Sequence, residues 1–551
     1  MAFGSDSGAW LTWEWHYQLR SSLHPAIFAA AYYLVDKPMA LLNFFPQFRA
    51  EVLAVLPNII QAIFAAGCDY YTWKMAEKMY GLGSRTGYVT LLMSVLSPWN
   101  WFCSTRTFSN SLETSLTITA LYYWPWDMTI DSGGEVKEES KRGSPISEGV
   151  FKTTESVNHL RYSLLLAGLA CILRPTNLLI WFCVIMPTMM SFITGVSNQS
   201  SRSPIPQDYI ILIREAILCG LLILTISALS DRLYFGEWTF PPYQWLDFNI
   251  SQNLAVFYGV NDWHYFFSQG LPLLLLTYLP FTTFSIFKTY TPDTIPNSTF
   301  TINLQTILTH SSAVMIFTLS TISHKEVRFI YPLLPILFIL TAPSITSFFT
   351  KEIQIPANST TKSKSTMETK TTRKPLLILL ILLNIALAAY TTLIHQSAVI
   401  SVTSFIRHRY ESEMLDARGI PLHSPEAYTY LKHYPASFDE DAPPSLNINY
   451  EIKKEENSQY AARGMGTSPN PDWEKELEQP FVGFLMPCHS TGWRSRLVYR
   501  ELGAWALGCE PPIHLAFEER GSYRDEADRF YDDPQVSAGG SGCVSGLKME
   551  G

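Results

Sequence analysis

Four ionisable side chains, His324, Lys325, Glu326 and Arg328, lie within five positions between two apolar runs of membrane-spanning length. Charged residues at the edge of a bilayer are costly, so they are usually retained for binding or catalysis. Phe329 continues directly into the second apolar run, which keeps the charges at the membrane surface rather than in a free loop. The pattern predicts an enzymatic site at that surface. The alternative interpretation is an interfacial anchor of an ordinary span.

The composition supports a membrane protein with a water-facing part. Of 551 residues, 47% are hydrophobic and only 16% charged, yet the mean hydropathy is close to zero. Long polar stretches therefore dilute long apolar ones. The net charge of -8 argues against a nucleic-acid partner. The first residues do not show a positively charged region followed by a short apolar region and a cleavage site, so a secretory signal peptide is not expected.

Apolar runs of about 20 residues predict membrane helices. Clear runs cover residues 211–230, 270–287, 304–322, 329–349 and 376–395, and residues 164–193 fit one tilted helix or a pair broken at Pro187. Shorter runs at 26–34, 52–66, 88–102 and 112–126 fit membrane-surface or re-entrant helices as well as spans. The sequence thus predicts a multi-span α-helical membrane protein with eight to ten membrane segments.

The loop at residues 350–374 sets the orientation, because it carries six basic residues against two acidic ones. Basic loops favour the cytoplasmic side, so the His324 motif and the polar tail are expected in the lumen. Within this loop, the Thr/Ser/Lys-rich residues 358–372 predict disorder. We expect a lumenal remnant at 1–25, a membrane domain with lumenal loops at 26–396 and a lumenal C-terminal domain at 397–551.

Several single residues carry competing interpretations. Arg174, before Pro175, either binds an anion or snorkels to the interface. Asp262 and His264 belong either to a site or to a turn cap and a surface histidine. Cys488 and Cys509, 21 residues apart in the tail, favour a disulfide if the tail is lumenal. No spacing resembles a metal site.

The run from His324 to Phe329 matches the His-Lys-Glu-x-Arg-Phe signature of glycosyltransferase family 22, and the chain is similar to those multi-span mannosyltransferases. Further runs resemble the branch that adds the third, α1,2-linked mannose to the glycosylphosphatidylinositol (GPI) anchor precursor in the endoplasmic reticulum. They begin at Thr12, Arg20, Asp231, Asn249, Asn261, Phe484 and Cys509. The resemblance implies the C-type glycosyltransferase fold, dolichyl-phosphate mannose as donor and a GPI-precursor glycolipid as acceptor.

The implied chemistry assigns roles to the charged residues. A β-linked donor that gives an α-mannoside requires one inverting displacement with a carboxylate base. The leaving phosphate needs cations rather than an acid, and Arg328, Lys325 and Arg174 are candidates, with His324, Asp262 and His264 as further substrate-binding residues. No cofactor or metal is expected. The family carries its presumed base in an Asp-Glu pair that falls upstream of Met1, so we expect a truncated chain in which Glu326 is the remaining carboxylate.

Two rival functions remain open. A transporter would show intramembrane charges along a path and inverted repeats, and the sequence displays neither. A sister mannosyltransferase, acting on N-glycan precursors or adding the fourth anchor mannose, shares the His324 motif. The runs at Asn261 and Phe484 favour the third-mannose branch.

Overall fold

The computed structural model describes residues 13–130, 149–194, 204–289, 299–355 and 366–416 and, with short gaps, 481–533. The chain forms two compact units. One comprises Gln18–His24 and Asn58–His395, and the other comprises Met1–Tyr17, Pro25–Pro57 and Gln396–Gly551. The boundaries predicted at residues 25 and 396 separate the membrane domain from the two regions that were expected in the lumen. Contacts within the chain do not test that division, and it stays a prediction.

Helices make up nearly all of the described structure. They are α1 (Trp13–His16), α2 (Leu23–Leu41), α3 (Pro46–Tyr80), α4 (Arg85–Val95), α5 (Pro98–Cys103), α6 (Ser109–Tyr123), α7 (Thr154–Leu173), α8 (Leu178–Thr194), α9 (Pro206–Phe235), α10 (Pro241–Leu246), α11 (Leu271–Leu275), α12 (Leu279–Thr289), α13 (Thr299–Ser320), α14 (Leu334–Phe349), α15 (Lys374–Ala389), α16 (Ser397–Asp416) and α17 (Glu526–Asp532).

Eight of the described helical segments are long and apolar enough to cross a bilayer, which confirms the predicted multi-span architecture. The short early run at 52–66 is part of one of them, Gln47–Tyr80. Both interpretations of residues 164–193, one tilted helix or a pair broken at Pro187, are wrong, because the run divides but Pro187 lies inside α8. The chain breaks instead at Arg174, whose φ of -145° and ψ of 98° are extended. Proline disfavours helical backbone in the residue before it, so Pro175 ends α7 there.

The run predicted at 88–102 also divides, into α4 and α5. Ser97 caps α5, since its side chain accepts a hydrogen bond from the Asn100 amide at 3.4 Å, and Pro98 occupies the first turn. Proline is preorganised for that position and lacks the amide hydrogen that would go unbonded there. The division creates a short helix and a turn beside the motif.

The segment Val327–Phe349, which contains α14, lies at the centre of its unit. In its most apolar stretch of 18 residues, 83% of the residues are buried inside the protein, against 11% in the corresponding stretch of the span Lys374–Ser412. This explains why α14 is apolar on all sides. Two hydroxyl pairs join it to α12, Thr282–Thr341 at 2.8 Å and Ser285–Ser344 at 2.5 Å. The His324 motif thus leads directly into the most enclosed of these spans.

Four described strands form two small sheets. β1 (Thr350–Ile355) and β2 (Thr366–Thr371) pair antiparallel, from Thr350 opposite Thr371 to Ile355 opposite Thr366. The prediction of disorder for 358–372 is therefore wrong for 366–371, where β-branched threonines favour a strand despite the polar composition. β3 (Phe481–Phe484) and β4 (Gly503–Ala506) pair in parallel in the other unit.

The unit that contains the tail has its own core, and a buried arginine lies beside it. Arg407 is almost fully buried, forms an ion pair with Glu51 and lies 3.8 Å from Glu411. Tyr499 donates a 2.6 Å hydrogen bond to Glu411.

Cys509 takes part in a disulfide. Cys488, its predicted partner, lies outside the described residues.

Candidate active site

The His324 motif folds into a compact ion cluster at the entrance to α14. Glu326 precedes the 3-10 turn Val327–Leu333 and is extended, with φ -135° and ψ 147°. Its carboxylate accepts a 2.8 Å hydrogen bond from Arg328 Nη2, and the same carboxylate also pairs with Arg328 Nε. His324 Nε2 lies 3.3 Å from Glu326 Oε1. The arginine side chain is nevertheless 45% exposed, so it stays accessible to a ligand.

These contacts decide the protonation of the cluster. Burial acts to raise the pKa of Glu326, but hydrogen bonds from His324 and Arg328 outweigh it and lower the pKa to about 2. The hydrogen bond with Glu326 raises the pKa of His324. Glu326 is therefore ionised and a weak proton acceptor near neutral pH. Its predicted catalytic role stays a prediction, against which this low pKa weighs.

Asn261 joins a second predicted run to the motif. Its side-chain oxygen accepts from the Lys325 amide at 2.9 Å, and its carbonyl accepts from Lys325 Nζ at 2.7 Å. The Asn261 amide donates to Ser323 O at 3.0 Å, and His324 Nδ1 lies 3.1 Å from Gly259 O. Lys325 is only 4% exposed, and burial lowers its pKa. The lysine therefore holds two loops together, while Arg328 offers the accessible charge.

Asp262 and His264 lie in the same loop but point elsewhere. Their side chains are 81% and 49% exposed and lie 3.5 Å apart. His264 Nδ1 is 3.0 Å from Ser268 Oγ. The negative charge of Asp262 acts on Lys325, opposing the effect of burial on its pKa. The structure gives these two residues surface positions, and their predicted role in substrate binding stays a prediction.

Arg174 is buried rather than snorkelling to an interface. It is 5% exposed, and its Nε lies 3.8 Å from the carboxylate of Glu113, which is fully buried. Its guanidinium lies 5.7 Å from the ring centroid of Phe329 in the motif. Asn177 and Asn110 donate to Glu113 at 2.9 and 3.4 Å. Arg174 thus couples α6 to the motif through a satisfied, buried carboxylate.

The segment that begins at Arg20 is fixed to the end of α9. Asp231 is fully buried, and it accepts hydrogen bonds from the Ser22 amide at 2.6 Å, from Ser22 Oγ at 2.8 Å and from Ser21 Oγ at 3.1 Å. The runs that begin at Arg20 and at Asp231 are therefore in contact with each other.

Burial lowers the pKa of His24, in the same segment, to about 4, and the charges of Arg20 and Arg174 act in the same direction. His24 is therefore neutral near pH 7.

Sequence reasoning missed Glu113, Asn177 and the anchoring role of Asp231. A signal existed for Glu113, since a lone carboxylate in an otherwise uncharged helix within a membrane domain requires a partner. The partner itself, 61 positions along the chain, could not be read from spacing. Asn261 belonged to a quoted run, but its contacts with Lys325 depend on the tertiary fold.

This chain is similar to known proteins of one family. A profile of the Alg9-like mannosyltransferase family matches residues 7–497. The chain is 42% identical to GPI mannosyltransferase 3 of Gibberella zeae over 536 residues, covering 97% of this chain and 77% of that protein. It is 40% identical to the Aspergillus fumigatus protein of the same name, covering 97% and 61%. The human GPI alpha-1,2-mannosyltransferase 3 is 29% identical, covering 77% and 62%.

A solved structure, ArnT from Cupriavidus metallidurans bound to undecaprenyl phosphate, aligns with a TM-score of 0.46 and 13% identity, covering 89% of this chain and 76% of that one. The sequence matches and the eight candidate spans identify a membrane-embedded glycosyltransferase. The chain belongs to the Alg9-like mannosyltransferase family. The profile match and the identity to the relatives confirm the family that the sequence predicted, and the eight candidate spans confirm a multi-span α-helical membrane protein.

Proposed function

We propose that this chain transfers mannose from dolichyl-phosphate mannose to a GPI precursor, adding the third, α1,2-linked residue. The names of the relatives that match 97% of the chain support the reaction. The observation that carries the proposal is the motif itself, an exposed arginine held by an ionised carboxylate at the entrance to an enclosed helix. Such a cation suits the phosphate of a lipid-linked sugar donor.

In the proposed step, the acceptor hydroxyl oxygen attacks C1 of the mannose as the bond from C1 to the phosphate oxygen breaks. The electron pair leaves with the phosphate, and a carboxylate takes the hydroxyl proton. Arg328 stabilises the charge that develops on the phosphate. Since Glu326 is held at a pKa of about 2, we assign it to positioning Arg328 and His324. A different carboxylate then serves as the base.

We place the reaction in the lumen of the endoplasmic reticulum. The support is the basic segment at residues 350–374, part of which forms the hairpin of β1 and β2. Basic segments favour the cytoplasmic side, and one span, Val327–Phe349, separates this segment from the motif.

The test is to express the gene that encodes this chain in cells lacking third-mannose transfer and to analyse GPI intermediates by mass spectrometry. We expect intermediates with two mannoses to be converted to intermediates with three. The same gene with Arg328→Ala serves as the inactive control. Correction of an N-glycan precursor defect or of the fourth-mannose step, without the third, would overturn the proposal in favour of a sister enzyme.

A further inference from the structure

An exposed arginine that the proposed mechanism does not use, Arg106, lies in the turn between α5 and α6. Its guanidinium lies 3.8 Å from the ring centroid of Phe102, and its Nε donates to the Phe102 carbonyl at 2.8 Å. These two contacts occupy the face and the Nε of the guanidinium, and the residue as a whole is exposed. Among the described residues, none accepts a hydrogen bond from its two terminal nitrogens, and no carboxylate forms an ion pair with Arg106.

This turn is attached to the segment that carries Arg328. The Tyr331 hydroxyl donates to Asn100 Oδ1 of α5 at 3.1 Å. The Phe108 ring, at the start of α6, lies 6.4 Å from the Tyr331 ring. The helix before the turn and the residue that ends the turn therefore both contact Tyr331, which belongs to the 3-10 segment Val327–Leu333.

Helical periodicity then relates the two arginines. Residues three apart in a 3-10 helix lie on the same side, so Arg328 shares a side with Tyr331 and lies about 6 Å further along the axis. Cys103 gives an independent indication. Burial raises the pKa of its thiol, and the charges of Arg106 and Arg328 both oppose that rise. Both guanidiniums therefore lie near enough to Cys103 for their charges to act on its thiol.

Two guanidiniums near one another repel unless an anion compensates them. Glu326 neutralises one of the two, but Arg106 has only a carbonyl and an aromatic face. Partial burial also lowers the pKa of Arg106, so its surroundings oppose its charge. A ligand with several negatively charged oxygens would satisfy both groups, and arginine presents paired donors that match phosphate.

We infer that Arg106 and Arg328 together bind the phosphate of the lipid-linked sugar donor, with the ring of Phe102 holding Arg106 in place. This assignment rests on the proposed function. It adds a phosphate-binding residue from outside the His324 motif, and it predicts that the α5–α6 turn contributes to recognition of the donor rather than the acceptor.

The experiment measures donor and acceptor kinetics separately, with purified protein, a polyprenyl-phosphate mannose donor and a two-mannose GPI acceptor. Arg106→Ala should raise the donor KM, and the Ki of the product polyprenyl phosphate, by about 10- to 100-fold, the range for losing charge-assisted hydrogen bonds. The acceptor KM should stay within about twofold. Arg106→Lys should recover part of the loss, because it keeps the charge without the paired donors. Arg85→Ala, which removes an exposed arginine at the start of α4, is the matched control and should behave as the unmodified protein.

Failure of the proposed function and failure of the phosphate site give different results. An unmodified protein that transfers no mannose from this donor refutes the proposed function. An active protein whose Arg106→Ala and Arg106→Lys variants keep normal donor KM and product inhibition refutes the phosphate site. A change confined to the acceptor KM also refutes it, since the anion would then be the acceptor's phosphate. If Arg106→Ala reduces the amount of protein, Arg106→Lys and Phe102→Leu decide by the same donor measurements.

Discussion

The pair of Arg174 and Glu113 offers the sharpest test of how the site is supported. Both side chains are at least nine-tenths buried and lie 3.8 Å apart. Removing one partner of a buried pair leaves an uncompensated charge, which costs about 3–5 kcal/mol, whereas removing both is often nearly neutral. Arg174→Met should therefore destabilise the protein, though by less than that full cost, because burial raises the pKa of Glu113 to about 7 and the carboxyl can become neutral. The double variant with Glu113→Gln should regain most of that loss.

The assay is thermal unfolding of the detergent-solubilised protein, followed by the fluorescence of its 15 tryptophans. The matched control is Arg161→Met. Arg161 pairs with Glu215 but is 44% exposed, and Arg214 also contacts Glu215. Arg214 still compensates the charge of the buried Glu215 when Arg161 is removed, so this control should change stability less than Arg174→Met. If the double variant is as unstable as the two single changes added together, the buried charges are not coupled and the reasoning is refuted.

Three further predictions concern the motif and the topology. Arg328→Ala should abolish third-mannose transfer while the protein stays in the membrane at its normal level; near-normal transfer would reduce the motif to an anchor. The depressed pKa of Glu326 means that its ionised form stabilises the fold above pH 4.5, a contribution lost as the pH falls toward 2. Melting temperatures of the unmodified protein and of Glu326→Gln should therefore differ at neutral pH and converge in that acidic window, and a constant difference would contradict the assigned contacts. A glycosylation acceptor placed near Asn457 should be modified while Asn358 is not, and the reverse pattern would place the motif on the cytoplasmic side.

The sequence predicted the membrane segments better than the contacts between them. The run at 376–395 was read directly from its apolar length and contains most of α15. Residues 164–193 were expected to form either one tilted helix or a pair broken at Pro187, whereas the run divides at Arg174, before Pro175. A proline inside a packed helix is tolerated when neighbouring groups satisfy the freed carbonyl, and that compensation is tertiary. Local rules therefore located the elements but could not choose between the two prolines.

The site divides in the same way. The residues from His324 to Arg328 were identifiable because their charges adjoin in sequence at a membrane edge. That Lys325 is enclosed by Asn261 while Arg328 is exposed could not be predicted, because both are basic and three positions apart. Which of the two cations stays exposed depends on a loop 64 positions away. Long-range packing, rather than residue type, makes that choice.

The hydroxyl pairs between α12 and α14 bear on how the protein is assembled. Thr341 and Ser344 are polar groups in a helix enclosed by protein, and each gains a hydroxyl partner on α12, while the Thr341 hydroxyl also donates to the Leu337 carbonyl of its own helix. Their partners, Thr282 and Ser285, lie 59 positions earlier in the chain. During synthesis from the N-terminus, α12 is therefore made before α14 leaves the ribosome. The helix that contacts α14 through these pairs is thus already synthesised when α14 and the charged motif at its entrance emerge.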